Sequence, residues 1–268
     1  LIPLANDYTA LERAVFECAC AGCESIWITV NDDWSPLIKH RLGDFVYDPV
    51  WYYRAHDTHS RDGRKIIPIF YVPHLPKYRG RRDSQGWGII NAAIYAETVT
   101  RTMSDLLSPN MFYAAFPLGV FNPRELLKQR KIISSSNRVF LQHNNKTIKD
   151  GERLSFTFNW EDLREVNRHI SGEGTGLYKS IGEFVKGDNR AWSRRLSKEE
   201  QYSATKFNLG EVFHPMKEKE GNIIDLSWYY DISSWDNYKK FMGSEKTMNK
   251  PVPLKQQEIL HPVGVDSE

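Results

Sequence analysis

Through residue 122, apolar positions fall alternately into short continuous runs and into three- and four-residue spacing. Residues 1–5, Leu1-Ile2-Pro3-Leu4-Ala5, form an apolar run of the kind a buried strand needs. Thr9 is placed to cap a helix in which Leu11, Ala14, Val15 and Cys18 share one face, and Gly22 stops it. Residues 25–30 are nearly continuously apolar and β-branched, the pattern of a strand covered on both faces. Asn31-Asp32-Asp33 ends this strand and leads into a short helix over 35–42 closed by Gly43. Residues 66–72 and 111–116 read as two further buried strands. Between them, Ile90, Ala93, Ile94, Glu97 and Arg101 recur at helical spacing over 88–101. Strand and helix thus alternate. That order predicts an α/β fold with a mostly parallel, twisted, Rossmann-like sheet, right-handed crossovers and flanking helices.

Beyond Pro123 the pattern changes to shorter elements. Residues 139–141, 146–148 and 154–158 read as short strands, and Lys149-Asp150-Gly151 reads as a hairpin turn between two of them. Residues 160–169 read as a helix, 176–184 as mixed, 197–207 as a helix, 223–230 as a strand and 235–242 as a helix. The tail from Thr247 is proline-rich and is expected to be extended or loosely docked. The expected division is a first half over 1–122, a smaller mixed half of the same domain over 123–246, and a tail over 247–268.

Composition allows a substantial core: 268 residues, 40% hydrophobic and 26% charged. A formal net charge of +2 creates no field for nucleic acid, so no nucleic-acid partner is expected. No apolar run approaches the roughly 20 residues of a membrane span, and the start has no basic lead to a signal core. A cytoplasmic protein without a membrane partner is expected, and the sequence leaves room for an oligomer. Cys18, Cys20 and Cys23 lie too close together for a disulfide framework and lack a fourth zinc ligand at a telling spacing. They are expected to be reduced and buried on a helix.

Three segments fall where ligands of open α/β sheets bind, at the carboxyl ends of strands. The first is Ile2-Pro3-Leu4-Ala5 with the helix that holds Leu11-Glu12-Arg13-Ala14 and ends in Ala21-Gly22 before Ile26-Trp27-Ile28. The second is residues 83–93, Asp83-Ser84-Gln85-Gly86-Trp87-Gly88 and an Ala-bearing helix start. The third is residues 228–238, Trp228-Tyr229-Tyr230-Asp231-Ile232 and the turn that leads to Tyr238. Together they resemble the sugar-nucleotide pyrophosphorylase (nucleotidyltransferase) family over most of residues 1–240. The resemblance implies a nucleotide site at Leu4, Ala5, Gln85, Gly86 and Gly88. It also implies a catalytic, metal-binding carboxylate at Asp231. The substrates would be a nucleoside triphosphate and a sugar 1-phosphate, with Mg2+ as the cofactor.

Two departures qualify that expectation. The family carries a Gly-rich loop with Arg and Lys between its first strand and first helix, whereas here Ala5 runs directly into Asn6-Asp7-Tyr8-Thr9. The family also places a metal-binding Asp after the strand matched by residues 111–116, whereas here Phe116-Pro117-Leu118 carries no carboxylate. Asp231 is the one matching ligand left.

The implied chemistry is nucleotidyl transfer with release of pyrophosphate. That reaction demands mainly positioning and neutralisation of phosphate charge. Gln85 can both donate to and accept from a base edge, and Gly86 and Gly88 allow close backbone approach. Lys77, Arg79, Arg81 and Arg82 form the densest basic cluster, suited either to phosphates or to plain solvation. One alternative is a non-catalytic binding protein of nucleotide-sugar fold, favoured by both departures. Another is a metal-dependent glycosyltransferase of related fold. For that enzyme Asp32-Asp33 is adjacent where an alternating pair is needed, and Asp231 and Asp236 lie too far apart.

Overall fold

The computed structural model describes residues 1–55, 65–74, 84–104, 108–135, 137–173, 178–180, 193–195, 208–216, 221–246 and 248–251. The basic cluster over 77–82, the helix expected over 197–207 and most of the tail lie outside the described residues.

Strands β1 (Pro3–Ala5) and β2 (Tyr8–Thr9) form an antiparallel hairpin. The expected buried sheet strand at residues 1–5 is therefore half of a hairpin. Asp7 turns the chain at φ 55°, which leaves only Asn6 and Asp7 between the two strands. Helix α1 (Ala10–Ala21) follows at once. Thr9 and Glu12 form a reciprocal capping box, with Thr9 N–H donating to Glu12 Oε2 at 2.8 Å. Gly22 closes the helix at φ 99°, a conformation that favours glycine. Nearly every residue of α1 is buried, including Arg13 and Glu17. This helix is the hub of the molecule, because its faces feed three apolar clusters.

One small sheet contains β3 (Ile26–Val30), β5 (Ile66–Pro73) and β4 (Phe45–Tyr47), in the order β3-β5-β4. Helix α2 (Ser35–Leu42) packs Ile38 and Leu42 against it, and α3 (Pro49–Ala55) follows β4. Helix α4 (Gln85–Met103) starts three residues earlier than expected, because Ser84 caps it. A second sheet has the order β12-β8-β9-β6. Its strands are β6 (Phe112–Ala114), β8 (Arg138–Gln142), β9 (Phe156–Phe158) and β12 (Gly221–Asp225). Helices α4, α6 (Trp160–Glu173) and α7 (Leu209–Phe213) cover one side through Ile90, Val166 and Phe213. Helices α1 and α5 (Leu126–Ile133) cover the other through Phe16 and Ile133. Strands β7 (Gly119–Val120) and β13 (Tyr230–Asp231) form a short antiparallel ladder beside helix α8 (Trp235–Met242). Strands β10 (Tyr178–Ser180) and β11 (Ser193–Arg195) form an antiparallel pair.

The α/β class is as expected. Among the described residues, parallel pairing joins β3 to β5 and β8 to β12, and the other ladders are antiparallel. Strand β6, expected to be parallel, runs antiparallel to β9. An apolar run buried on both faces reads alike in either direction. The strand expected over 146–148 is instead a tight turn at Asn144 and Asn145, both at positive φ, followed by a 3-10 turn over Ile148–Asp150. The strand expected over 223–230 divides into β12 and β13. Cys18 and Cys20 are buried, and all three cysteines are free. No described helix is long and apolar enough to cross a membrane.

Candidate functional site

The carboxyl end of β3 meets the first turn of α4. Thr29 Oγ1 donates to the Gly88 carbonyl at 2.9 Å and ties strand to helix. An open cleft of about 1350 Å³ borders this junction. Its lining includes Thr29, Val30, Asn31, Gln85, Gly88, the segment 116–118 and Arg153. Ser84 Oγ accepts from Trp87 N–H at 3.3 Å. Gln85 therefore sits in the first turn of a 19-residue helix, where the helix dipole is positive.

Arg153 gathers the site. Its Nε donates to Gln85 Oε1 at 3.2 Å, and its Nη1 donates to Asp231 Oδ2 at 2.6 Å. Its backbone N–H donates to the Tyr229 phenolic oxygen at 3.0 Å. Burial raises the pKa of Tyr229, so the phenol stays protonated at neutral pH. Asp231 is set by the β7–β13 ladder, where it pairs with Gly119. Its Oδ1 accepts the Ser233 N–H at 2.9 Å. The side chains of Arg153 and Asp231 are 24% and 21% exposed, so the pair is reachable from solvent yet held on both sides.

Beneath this surface lies a buried ionic network. Arg13 Nη1 and Glu17 Oε2 are 2.9 Å apart, and both side chains are fully buried. Glu17 Oε1 accepts from the Tyr113 hydroxyl at 2.7 Å and from the Ser155 hydroxyl. Burial pushes the Glu17 carboxyl up, against the pull of Arg13 and the two hydroxyls. Arg13 Nη2 donates to the Phe116 carbonyl at 2.7 Å and fixes the segment 116–118 that lines the cleft.

The residues expected to bind nucleotide separate into two groups. Gln85 and Gly88 line the cleft, and Asp231 reaches it through Arg153. Leu4 is buried in a cluster with Tyr8, Val120 and Ile232, and Ala5 sits in the hairpin; neither lines the cleft. Gly86 serves helix packing, since a Cβ there would stand 2.8 Å from Val212 Cγ1. Arg153 and Glu17 have no part in the motifs legible in the sequence, and Arg13, which stands in the first of them, is given no role there. The one local signal for Arg153 is a charged residue directly before the apolar stretch that ends in β9.

The donor set does not fit a magnesium ion. Magnesium takes oxygen ligands at near-octahedral geometry and is commonly held by one or two carboxylates plus substrate phosphates. Asp231 is already neutralised by Arg153, and its other oxygen is taken by Ser233. No group of three or more His, Cys, Asp or Glu converges on a metal position among the described residues.

No family model matches the sequence, and no curated protein matches it. A solved structure of UDP-glucose pyrophosphorylase complexed with UDP-glucose is similar in fold at a TM-score of 0.48 and 12% identity, covering 90% of this chain and 87% of that one.

Proposed function

We propose that this chain binds a phosphorylated nucleoside in the cleft, as a protein of nucleotide-sugar fold that does not require turnover. The observation that carries the reading is Arg153 joining Gln85 and Asp231 at the edge of the cleft. The Arg153 Nε–H must meet an oxygen, so it fixes the orientation of the Gln85 amide. Gln85 then offers its NH2 to acceptors on a base edge. Arg153 supplies the positive charge that phosphates require, and the first turn of α4 adds its dipole. By the resemblance, the pyrophosphorylases' Gly-rich triphosphate loop falls between the first strand and the first helix, where this chain has the tight turn through Asn6 and Asp7, and that departure favours binding over transfer.

A second reading is nucleotidyl transfer from a nucleoside triphosphate to a sugar 1-phosphate. It is favoured by the segment 230–242, where Asp231 closes a strand ahead of a turn into α8. The two readings part in one pair of assays on the purified protein. Nucleoside triphosphates and diphosphates are titrated calorimetrically, and pyrophosphate release is followed with sugar 1-phosphates and Mg2+. Binding without release supports the first reading, and steady release supports the second. Absence of binding with every nucleotide would remove both.

A further inference from the structure

The geometry points to Arg153 as a resident cation that receives the diphosphate of a nucleoside ligand, so that binding proceeds without a metal ion. This rests on the proposed nucleoside site and goes beyond it. Asp231 becomes the residue that positions the guanidinium, in place of a metal ligand.

Four contacts hold Arg153. Gln85 Oε1 and Asp231 Oδ2 fix the guanidinium from two sides at 3.2 and 2.6 Å. The Tyr229 phenol accepts the backbone N–H at 3.0 Å, and the carbonyl packs on Gly119 with no room for a side chain between them. Nη2 has no partner among the described residues, and the side chain lines the cleft. A guanidinium fixed in this way has already lost most of its rotamer freedom, so a ligand does not have to order it. Its planar donor set suits neighbouring phosphate oxygens, which a single ammonium cannot bridge in the same manner. Placed between Asp231 and the ligand, it stands where a bridging cation would stand.

Lysine could not keep both contacts, because one ammonium cannot meet Gln85 and Asp231 with the same fork. Removing the Asp231 charge should help the ligand, since that carboxylate repels phosphate. The metal reading predicts the reverse, and this opposition makes the test decisive.

The experiment is isothermal titration of the intact protein with UDP, ADP, GDP, CDP and inorganic pyrophosphate, each in EDTA and in excess Mg2+. The tightest nucleotide is expected to bind in EDTA with an affinity within about threefold of that in Mg2+. Arg153→Ala is expected to weaken it by about tenfold to a hundredfold, the range for a hydrogen bond to a charged group. Arg153→Lys should fall between the two, with its melting temperature confirming that the fold is kept. Asp231→Asn keeps an oxygen that can accept from Arg153 Nη1 and removes the charge that repels phosphate, so it is expected to bind more tightly than the natural protein in EDTA. Gln85→Ala should weaken the nucleotide more than it weakens pyrophosphate, because both lose one fix on Arg153 and only the nucleotide also loses a base contact; equal losses would mark a general diphosphate site. Loss of binding in EDTA together with loss in Asp231→Asn would overturn the inference and leave the nucleoside site standing. Unchanged binding in Arg153→Ala would overturn it as well. No binding by the natural protein in either buffer would sink both the inference and the site.

Discussion

Gly119 and Arg153 meet backbone to backbone: a Cβ on residue 119 would stand 1.9 Å from the Arg153 carbonyl oxygen. The contact places the segment before β9 against the β7–β13 ladder, and that ladder carries Asp231. A two-residue strand next to a small apolar cluster thus determines where the cleft's arginine stands.

Gly119→Ala should therefore act on stability and on ligand binding together. The added methyl meets backbone, which cannot rotate aside, so the cost is at the upper end of overpacking, about 3 kcal/mol. Urea denaturation measures the loss. Nucleotide affinity should fall in the same variant, because Arg153 is displaced. A stability change under about 0.5 kcal/mol would show that the two backbones can part freely.

The Arg13–Glu17 pair should resist single replacement. Glu17→Leu alone leaves a buried guanidinium without its carboxylate, and breaking a buried pair costs about 3 to 5 kcal/mol. Replacing both partners together, Arg13→Met with Glu17→Leu, should cost less than either single change, since no uncompensated charge remains. A double-mutant cycle by urea denaturation checks this. Additive losses would contradict it.

Asp48 should make stability fall in acid. Burial alone would raise its pKa, but the bidentate Arg130 guanidinium and the N–H groups at the start of α3 outweigh it, holding the carboxyl below its ordinary value of 3.8. A lowered folded pKa means that the unfolded chain takes up the proton first. The contribution is complete above about pH 4 and is lost as pH falls through the folded value. Denaturation midpoints from about pH 6 to about pH 2 should drop in the natural protein and flatten in Asp48→Asn. Equal slopes in both would contradict the assignment.

Local chemistry made part of this molecule legible in the sequence. Helix α1 follows from Thr9 and Gly22, which supply the cap and the left-handed stop. Helix α8 was expected over 235–242 and stands there, with the Ser234 hydroxyl accepting from Asn237 N–H at its start. Strand β3 follows from its β-branched run. The direction of β6 was not legible, because pairing is decided by partners distant in the chain. Gln85 and Asp231 were legible as candidates, but what joins them was not. Arg153 reaches them across 68 and 78 residues, and no spacing rule records such a contact. Helical spacing alone gives no reason to bury the charges of Arg13 and Glu17, and their pairing emerges only from the enclosure of α1.

Gln85, Arg153 and Asp231 are proposed to form one site for a phosphorylated nucleoside. Its most direct test is a crystal structure of the protein soaked with the nucleoside diphosphate that binds most tightly. Phosphate oxygens are expected within hydrogen-bond reach of Arg153, with the base edge at the Gln85 amide. A nucleotide bound elsewhere, with the Arg153–Asp231 pair out of contact with it, would rule this site out.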